Sequence, residues 1–400
     1  MFSLESFYTI ISKNLLEPLK ISSYYFRTFG STDLKDLEVN CMFSEGGHML
    51  DDYNFTVFYD QEPITQFNVN PEYSRDIWIQ YAECYCKIKY FNPILKIFAN
   101  SEHSQEKQEL MKTIDFYDWY YFFHGFAALD WYRNLKYLPP NNRFSKVFIC
   151  FNNLISDKRN YRLNLLARIM QKKLEDFGYI SLNPDNLKEK LKKELAPSNT
   201  LLSAESKKLI YYNLFVNTPK LIIDTEEFVG TLSAFNNLDV LSKGLFHIVT
   251  ETVYYDNKLH LTEKIFKPIV ARRPFILVGA PGNLAYLKSY GFKTFDRWID
   301  ETYDCELDHD LRIIKIVNEI EKLCQLTPDE LDKIWEEIQV ITEYNFQHFY
   351  TQFKEIIVDE LVDNFQQVLI KFTTGRDKSF PNYVNYKNID FDQVRSVLKK

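Results

Sequence analysis

Glu251 closes an apolar run, and shortly after it Thr262-Glu263-Lys264 opens the stretch "LTEKIFKPIVARRPFILVG" at 261–279. Thr262 is a good helix N-cap, and Glu263 in a first turn suits the helix dipole, so ordinary capping explains these two by themselves. Lys264 does not fit that explanation, because a cation in a first turn is unfavourable unless an anion sits nearby. Pro268 is equally out of place, since a proline this far inside a helix costs about 3 kcal/mol. Both residues suit a distorted helix start shaped around a ligand. Carboxylates and an ammonium at such a place are the groups that hold a ribose and a phosphate.

The surrounding elements must position these residues at the edge of a sheet. From residue 144 onward strand and helix patterns alternate: "FSKVFICF" (144–151), the helix-like "YRLNLLARIMQKKLEDFGYI", then "PKLIID" (219–224), "GLFHIVTET" (244–252), the Thr-Glu-Lys segment and "PFILVG" (274–279). Strands alternating with helices predict a parallel, helix-covered sheet. In such sheets ligands bind at the carboxyl ends of the strands, where the quoted stretch falls. "TPDELDKIWEEIQ" carries Thr327 as cap, Pro328 in the first turn and Glu330 as the closing half of a capping box, with helical pattern to about residue 371. Residues 1–143 are less regular, rich in Tyr, Phe and Asn, with short strand-like runs such as "NFTVFYD" at 54–60. The expected organisation is an N-terminal domain at 1–143, a Rossmann-like domain with C-terminal helices at 144–371, and a polar tail at 372–400. The expected hinge lies in "LPPNNRFSK", near 140–146.

The segment "TETVYYDNKLHLTEKIFKPIVARRPFILVGAP" resembles the donor-binding stretch of the α-1,3-fucosyltransferase family: a strand-end Glu, a Thr-Glu-Lys helix and a strand that runs from Pro to Gly. The spacing between the two glutamates is longer here than in that family. "FICFNNLISDKRNYRLNLLARI" (148–169) resembles the family's strand, polar loop and Arg-bearing helix, and "FYDQEPI" (58–64) its front-domain strand ending in Glu-Pro. The resemblance implies a GT-B fold, an α/β architecture of two Rossmann-like lobes with a cleft between them and C-terminal helices. It also implies inverting transfer of a sugar from a nucleotide donor, with no structural metal and no resident cofactor. Outside these patches the chain departs from the family, so the sugar does not carry over.

Residues can be matched to that chemistry one by one. Charge builds on the diphosphate as its bond to the sugar breaks, and without a metal, cations must stabilise it. Lys264 does this on the expected reading, with Arg159 and Arg162 on one helix face. Glu251, Glu263 and Thr262 complete the donor-binding set, the carboxylates accepting from ribose or sugar hydroxyls. An inverting transfer needs a base for the acceptor hydroxyl. Glu62 in "DQEP" is the first choice and Asp60 its rival, the latter also able to raise the pKa of Glu62 by like charge; an acidic turn of no catalytic role is the plainer alternative. In "FFHGFAALDWYRN" (122–134), His124 and Asp130 are possible acceptor contacts, although a histidine among aromatics is more often packed core. "DHD" (308–310) has the spacing of a metal-binding pair but opens a helix, where carboxylates cap, and "WIDETYD" (298–304) is expected to rim the cleft. No metal site is expected.

Composition bounds the reading. Glycine numbers only 11 in 400 residues, and neither a G-x-G-x-x-G nor a phosphate-loop motif occurs, which argues against glycine-fingerprint dinucleotide binders. Net charge is −7, and residues 1–145 hold 13 Lys and Arg against 19 Asp and Glu, a poor surface for general nucleic-acid binding. The six cysteines form no C-x-x-C pair and suit free thiols in a reducing cytoplasm. No stretch has the length of a spanning helix or the layout of a signal peptide. The expectation is a cytoplasmic glycosyltransferase using a UDP- or GDP-linked sugar. Its acceptor is a glycan or, against the charge of the front half, a hydroxymethylated DNA base that would have to be flipped out. The alternative is a nucleotide-binding or interaction protein of the same fold without catalysis.

Overall fold

A computed structural model of the chain describes residues 4–25, 54–61, 63, 95–113, 116–137, 139, 143–182, 187–216, 241–374 and 389–399. The chain divides into two compact units, one from Met1–Asp130 with Gln352–Lys400, the other from Trp131–Thr351. Both are α/β, and each is built on a four-stranded sheet of parallel pairs.

In the first unit β1 (Ile21–Tyr25), β2 (Asn54–Tyr59), β3 (Lys96–Asn100) and β4 (Tyr117–Tyr120) lie side by side in chain order. Tyr59 of β2 pairs with Asn100 of β3, which pairs in turn with Tyr120 of β4, so these three strands end level. Val57, Phe58, Ile97, Phe98 and Trp119 are buried, as strands covered on both faces require. The helix Gln352–Thr374 packs against β4 and presents Phe353, Ile357, Leu361, Phe365 and Leu369 to the core. Trp119 Nε1 donates to Leu361 O at 3.0 Å, and its ring lies 4.7 Å from that of Phe365.

That packing departs from the division at 143 and 371 read from the sequence: residues 352–371 belong with the first unit. The apolar stripe of this helix completes a sheet face more than two hundred residues upstream, a pairing that local periodicity cannot reveal. Part of the expected tail is also ordered, since Phe391–Lys399 is a helix with Val394 and Leu398 buried. Arg395 and Lys399 bind Asp359 of the neighbouring helix, which fixes it there. Residues 140–142 of the expected hinge lie outside the described residues.

In the second unit β5 (Lys146–Asn152), β6 (Gly178–Leu182), β7 (Gly244–Thr250) and β8 (Phe275–Val278) are ordered β8-β7-β5-β6. Two of the chain's few glycines start β6 and β7 for a packing reason: a Cβ at Gly178 would lie 2.3 Å from the Phe148 ring, and one at Gly244 2.3 Å from Ile149. The helix Tyr161–Gln171 connects β5 to β6, while a short 3₁₀ turn, Glu263–Ile265, and the helix Phe266–Val270 connect β7 to β8. The strand order therefore runs one way from β5 and the opposite way from β7. In open parallel sheets such a reversal is where ligands bind, at the carboxyl ends of the two strands, here β5 and β7. The "PKLIID" run at 219–224 lies outside the described residues.

The remaining helical patterns are observed. Pro328–Tyr350 begins with the full capping box, Glu330 N donating to Thr327 Oγ1 at 3.3 Å and Thr327 N to Glu330 Oε2 at 2.8 Å. Among the described residues no helix is long and apolar enough to cross a membrane.

Candidate functional site

Glu251 follows β7 directly, and its own N–H continues the ladder to Val278 O of β8 at 2.9 Å. Its side chain is completely buried and accepts three bonds: from Thr262 Oγ1 at 2.5 Å, Thr262 N at 3.3 Å and Thr252 N at 3.3 Å. Thr262 is the N-cap of the Glu263–Ile265 turn, as its residue type suggested. Lys264 Nζ donates to Thr262 Oγ1 at 3.1 Å, Thr252 Oγ1 at 3.3 Å and Glu263 Oε1 at 3.0 Å. All three ammonium protons thus have acceptors, and the side chain remains 29% exposed. The anion that the odd placement of Lys264 called for is supplied by Glu263. Tyr132 Oη donates to the backbone oxygen of Glu263 at 3.3 Å and holds the turn from behind.

Glu251, Thr262, Glu263 and Lys264 are therefore one connected group beside the strand-order reversal. Thr252, which sequence reasoning passed over although it stands next to Glu251, is the fifth member. Its hydroxyl accepts from Lys264 while its amide reaches Glu251.

Arg162 has a different task from the one its type suggested. It is buried and donates to main-chain oxygens: Nη1 to Leu154 at 2.7 Å, Nη2 to Thr250 at 2.8 Å and to Glu251 at 3.0 Å. Tyr161 Oη also donates to Glu251 O. Together they satisfy the carbonyls at the end of β7 that no further strand residue can reach, and join the loop after β5 to the loop after β7. Thr250 Oγ1 adds a bond across the strand ends, to Asn152 Oδ1 at 3.1 Å. Arg159, at the end of the turn Asp157–Arg159, is half-buried.

The acidic stretches resolve as caps. Asp308 caps His309–Cys324, and Asp310 accepts from Asn164 and Ser206 at 2.8 and 2.7 Å. Asp304 receives the amides of Leu284 and Ala285 at 2.9 and 3.1 Å, and Glu301 those of Phe295 and the Lys288 ammonium at 2.8 and 2.9 Å. Glu301 and Asp304 thus serve the turns around them. Among the described residues no group of three or more His, Cys, Asp or Glu could hold a metal ion.

The acceptor-side candidates belong to the first unit. Asp60 follows β2 and is buried, with Tyr8 Oη donating to its Oδ2 at 2.9 Å and Tyr121 Oη donating to the same oxygen. Burial pushes its carboxyl up to about 6, against the opposing pull of the two tyrosine hydroxyls. His124 is buried in the helix Phe123–Trp131, and Asp130 lies half-buried near its end. Glu62 lies outside the described residues. Comparison with protein families, curated proteins and solved structures finds no match for the chain.

Proposed function

We propose that the chain is a glycosyltransferase of the GT-B type, resembling the α-1,3-fucosyltransferases in its donor-binding stretch, that moves a sugar from a UDP- or GDP-linked donor to an acceptor hydroxyl. The observation that carries the reading is the Lys264 ammonium, held by two threonine hydroxyls and Glu263 beside the buried Glu251, at the strand-order reversal of a parallel sheet. A partly exposed ammonium fixed in this way offers a preorganised positive charge to a leaving diphosphate without reorganising during the reaction.

In the proposed step the acceptor oxygen attacks the anomeric carbon, the carbon–oxygen bond to the diphosphate breaks with its electron pair on the phosphate, and Lys264 and Arg159 offset the charge that develops. Glu251 and Arg162 act by holding the site's backbone, and Glu263 holds the Lys264 ammonium in place. The acceptor proton goes to a carboxylate of the first unit, Glu62 or Asp60. The reaction so written needs no divalent ion. A surface or lipid-linked glycan is the preferred acceptor, and a hydroxymethylated DNA base the second.

Thermal-shift measurements with UDP, GDP and their sugars, followed by mass spectrometry of acceptor mixtures, test the reading. Stabilisation by one nucleotide together with a mass gain of one sugar on an acceptor is expected. Nucleotide binding with neither transfer nor donor hydrolysis would favour a non-catalytic binding protein, and no stabilisation by any nucleotide would discard both.

A further inference from the structure

The loops that leave β5 and β7 are fastened to each other by contacts of two kinds. Some are buried and directional: Tyr161 stacks on Tyr254 at 4.1 Å between centroids, and Tyr255 Oη donates to Asn160 Oδ1 at 2.5 Å. Asn160 is anchored in turn, its Nδ2 donating to Glu194 Oε2 at 2.8 Å while Glu194 Oε1 accepts from Asp157 N at 3.0 Å. These bonds fix the backbone of both loops.

Another contact is an ion pair. Lys158 Nζ meets both oxygens of Asp256, at 2.9 and 3.2 Å, and the two side chains are 29% and 22% exposed. Opening it would leave every anchoring bond of the two loops in place. An ion pair with this exposure contributes little to stability, so the fold does not explain why a lysine and an aspartate meet across the strand-order reversal. Their position does suggest an explanation. Lys158 lies between β5 and the helix whose Tyr161 and Arg162 bind Glu251 O, and its partner Asp256 lies in the segment after β7 that Glu251 begins. Arg162 spends its guanidinium on carbonyls and on the Tyr161 hydroxyl. Lys158, by contrast, has a carboxylate as its partner, which a phosphate oxygen can replace on an ammonium without loss of hydrogen bonds.

We infer that Lys158 is a further diphosphate-binding cation of the switch-point site, beside Lys264 and Arg159, and that Asp256 pairs with it until the anionic ligand arrives. The inference rests on the nucleotide-sugar reading above. Binding exchanges the Lys158 bonds to Asp256 for bonds to phosphate oxygens and releases the Asp256 carboxylate to water; no covalent step is involved. Asp256 thereby sets a threshold: ligands of low charge do not displace it, and a diphosphate does.

Calorimetric titration of the full chain with pyrophosphate, and with UDP and GDP, tests this in the parent, Asp256→Asn, Lys158→Gln and the double variant. Asp256→Asn is expected to bind the diphosphates about three- to five-fold more tightly, the gain from removing a competing partner in a partly exposed pair. Lys158→Gln is expected to bind about ten-fold more weakly, with a shallower salt dependence. The double variant should match Lys158→Gln, because the gain acts through Lys158. No gain in Asp256→Asn, or a gain that persists in the double variant, overturns the inference. If the parent binds UDP or GDP while Lys158→Gln binds as well as the parent, the exchange is wrong and the nucleotide reading stands. If pyrophosphate shows the expected pattern and neither nucleotide binds, the exchange stands and the nucleotide reading fails. Binding of no probe to any of the four proteins overturns both.

Discussion

Thr262 Oγ1 lies 2.5 Å from Glu251 Oε2, and the same hydroxyl oxygen accepts from Lys264 Nζ at 3.1 Å. One threonine thus passes the position of a fully buried carboxylate on to a partly exposed ammonium. Glu251→Ala should leave the Thr262 hydroxyl and the amides of Thr252 and Thr262 without acceptors inside the protein. The expected cost is about 1–3 kcal/mol of stability, read as a lower urea midpoint with unchanged slope. Thr262→Val should keep more of the stability than Glu251→Ala and yet weaken nucleotide binding, because it removes the hydroxyl that orients Lys264. Equal binding by Thr262→Val and the parent would show that this orientation has no role.

Lys264→Ala should fold as the parent does, since the ammonium is partly exposed. Its affinity for a nucleoside diphosphate should fall by about 1.5–3 kcal/mol, the scale of hydrogen bonds to a charged group. Calorimetry on folded protein checks this, and unchanged affinity removes Lys264 from the phosphate.

Asp60 gives the first unit a pH signature. The folded carboxyl titrates near 6 and the unfolded one near 3.8, so the folded chain holds the proton more tightly. Below pH 3.8 both states are protonated and Asp60 costs nothing. Stability then falls as pH rises from 3.8 to 6 and is level above, by about 3 kcal/mol in all. Asp60→Asn keeps an acceptor for Tyr8 and Tyr121 and removes the titration. Its unfolding free energy should therefore change less than the parent's over that window, in urea melts taken at steps of pH.

Turnover should separate the two carboxylates proposed as base. Glu62→Gln is expected to lose about 10²–10⁴ in rate, with donor affinity nearly unchanged because Lys264 and Glu251 belong to the other unit. If instead Asp60→Asn carries that loss and Glu62→Gln retains turnover, the base is Asp60, and the rate should rise with pH through about 6.

Activity measured in excess EDTA should equal that measured with Mg²⁺ or Mn²⁺. The expectation follows from cations in the place where a metal would act. Loss in EDTA that only a divalent ion restores would refute it.

The sheets and the motif were legible in the sequence for different reasons. The buried strands show as short apolar runs, "VFICF" and "FILV" among them, because both faces of a parallel sheet are covered. The Thr262 cap and the Thr327 capping box are local, so spacing alone reveals them. What stayed hidden depends on topology. An arginine next to a polar loop has the same appearance whether it meets a ligand or, as Arg162 does, the carbonyls of a strand 88 residues away. Tyr8 and Tyr121 reach Asp60 from 52 and 61 residues away, and Lys158 reaches Asp256 from 98, distances at which no periodicity operates.

The helix Gln352–Thr374 lies under β4 of the first unit, although the whole of the second unit precedes it in the chain. On a ribosome the second unit can emerge complete and fold while the first still lacks one wall. Until Leu361 and Phe365 arrive, Trp119 lacks its Leu361 acceptor and the Phe365 ring, and the side of β4 that this helix packs against is uncovered. The first unit is therefore finished last despite being started first, and a nascent chain stalled before residue 352 should engage chaperones through β4.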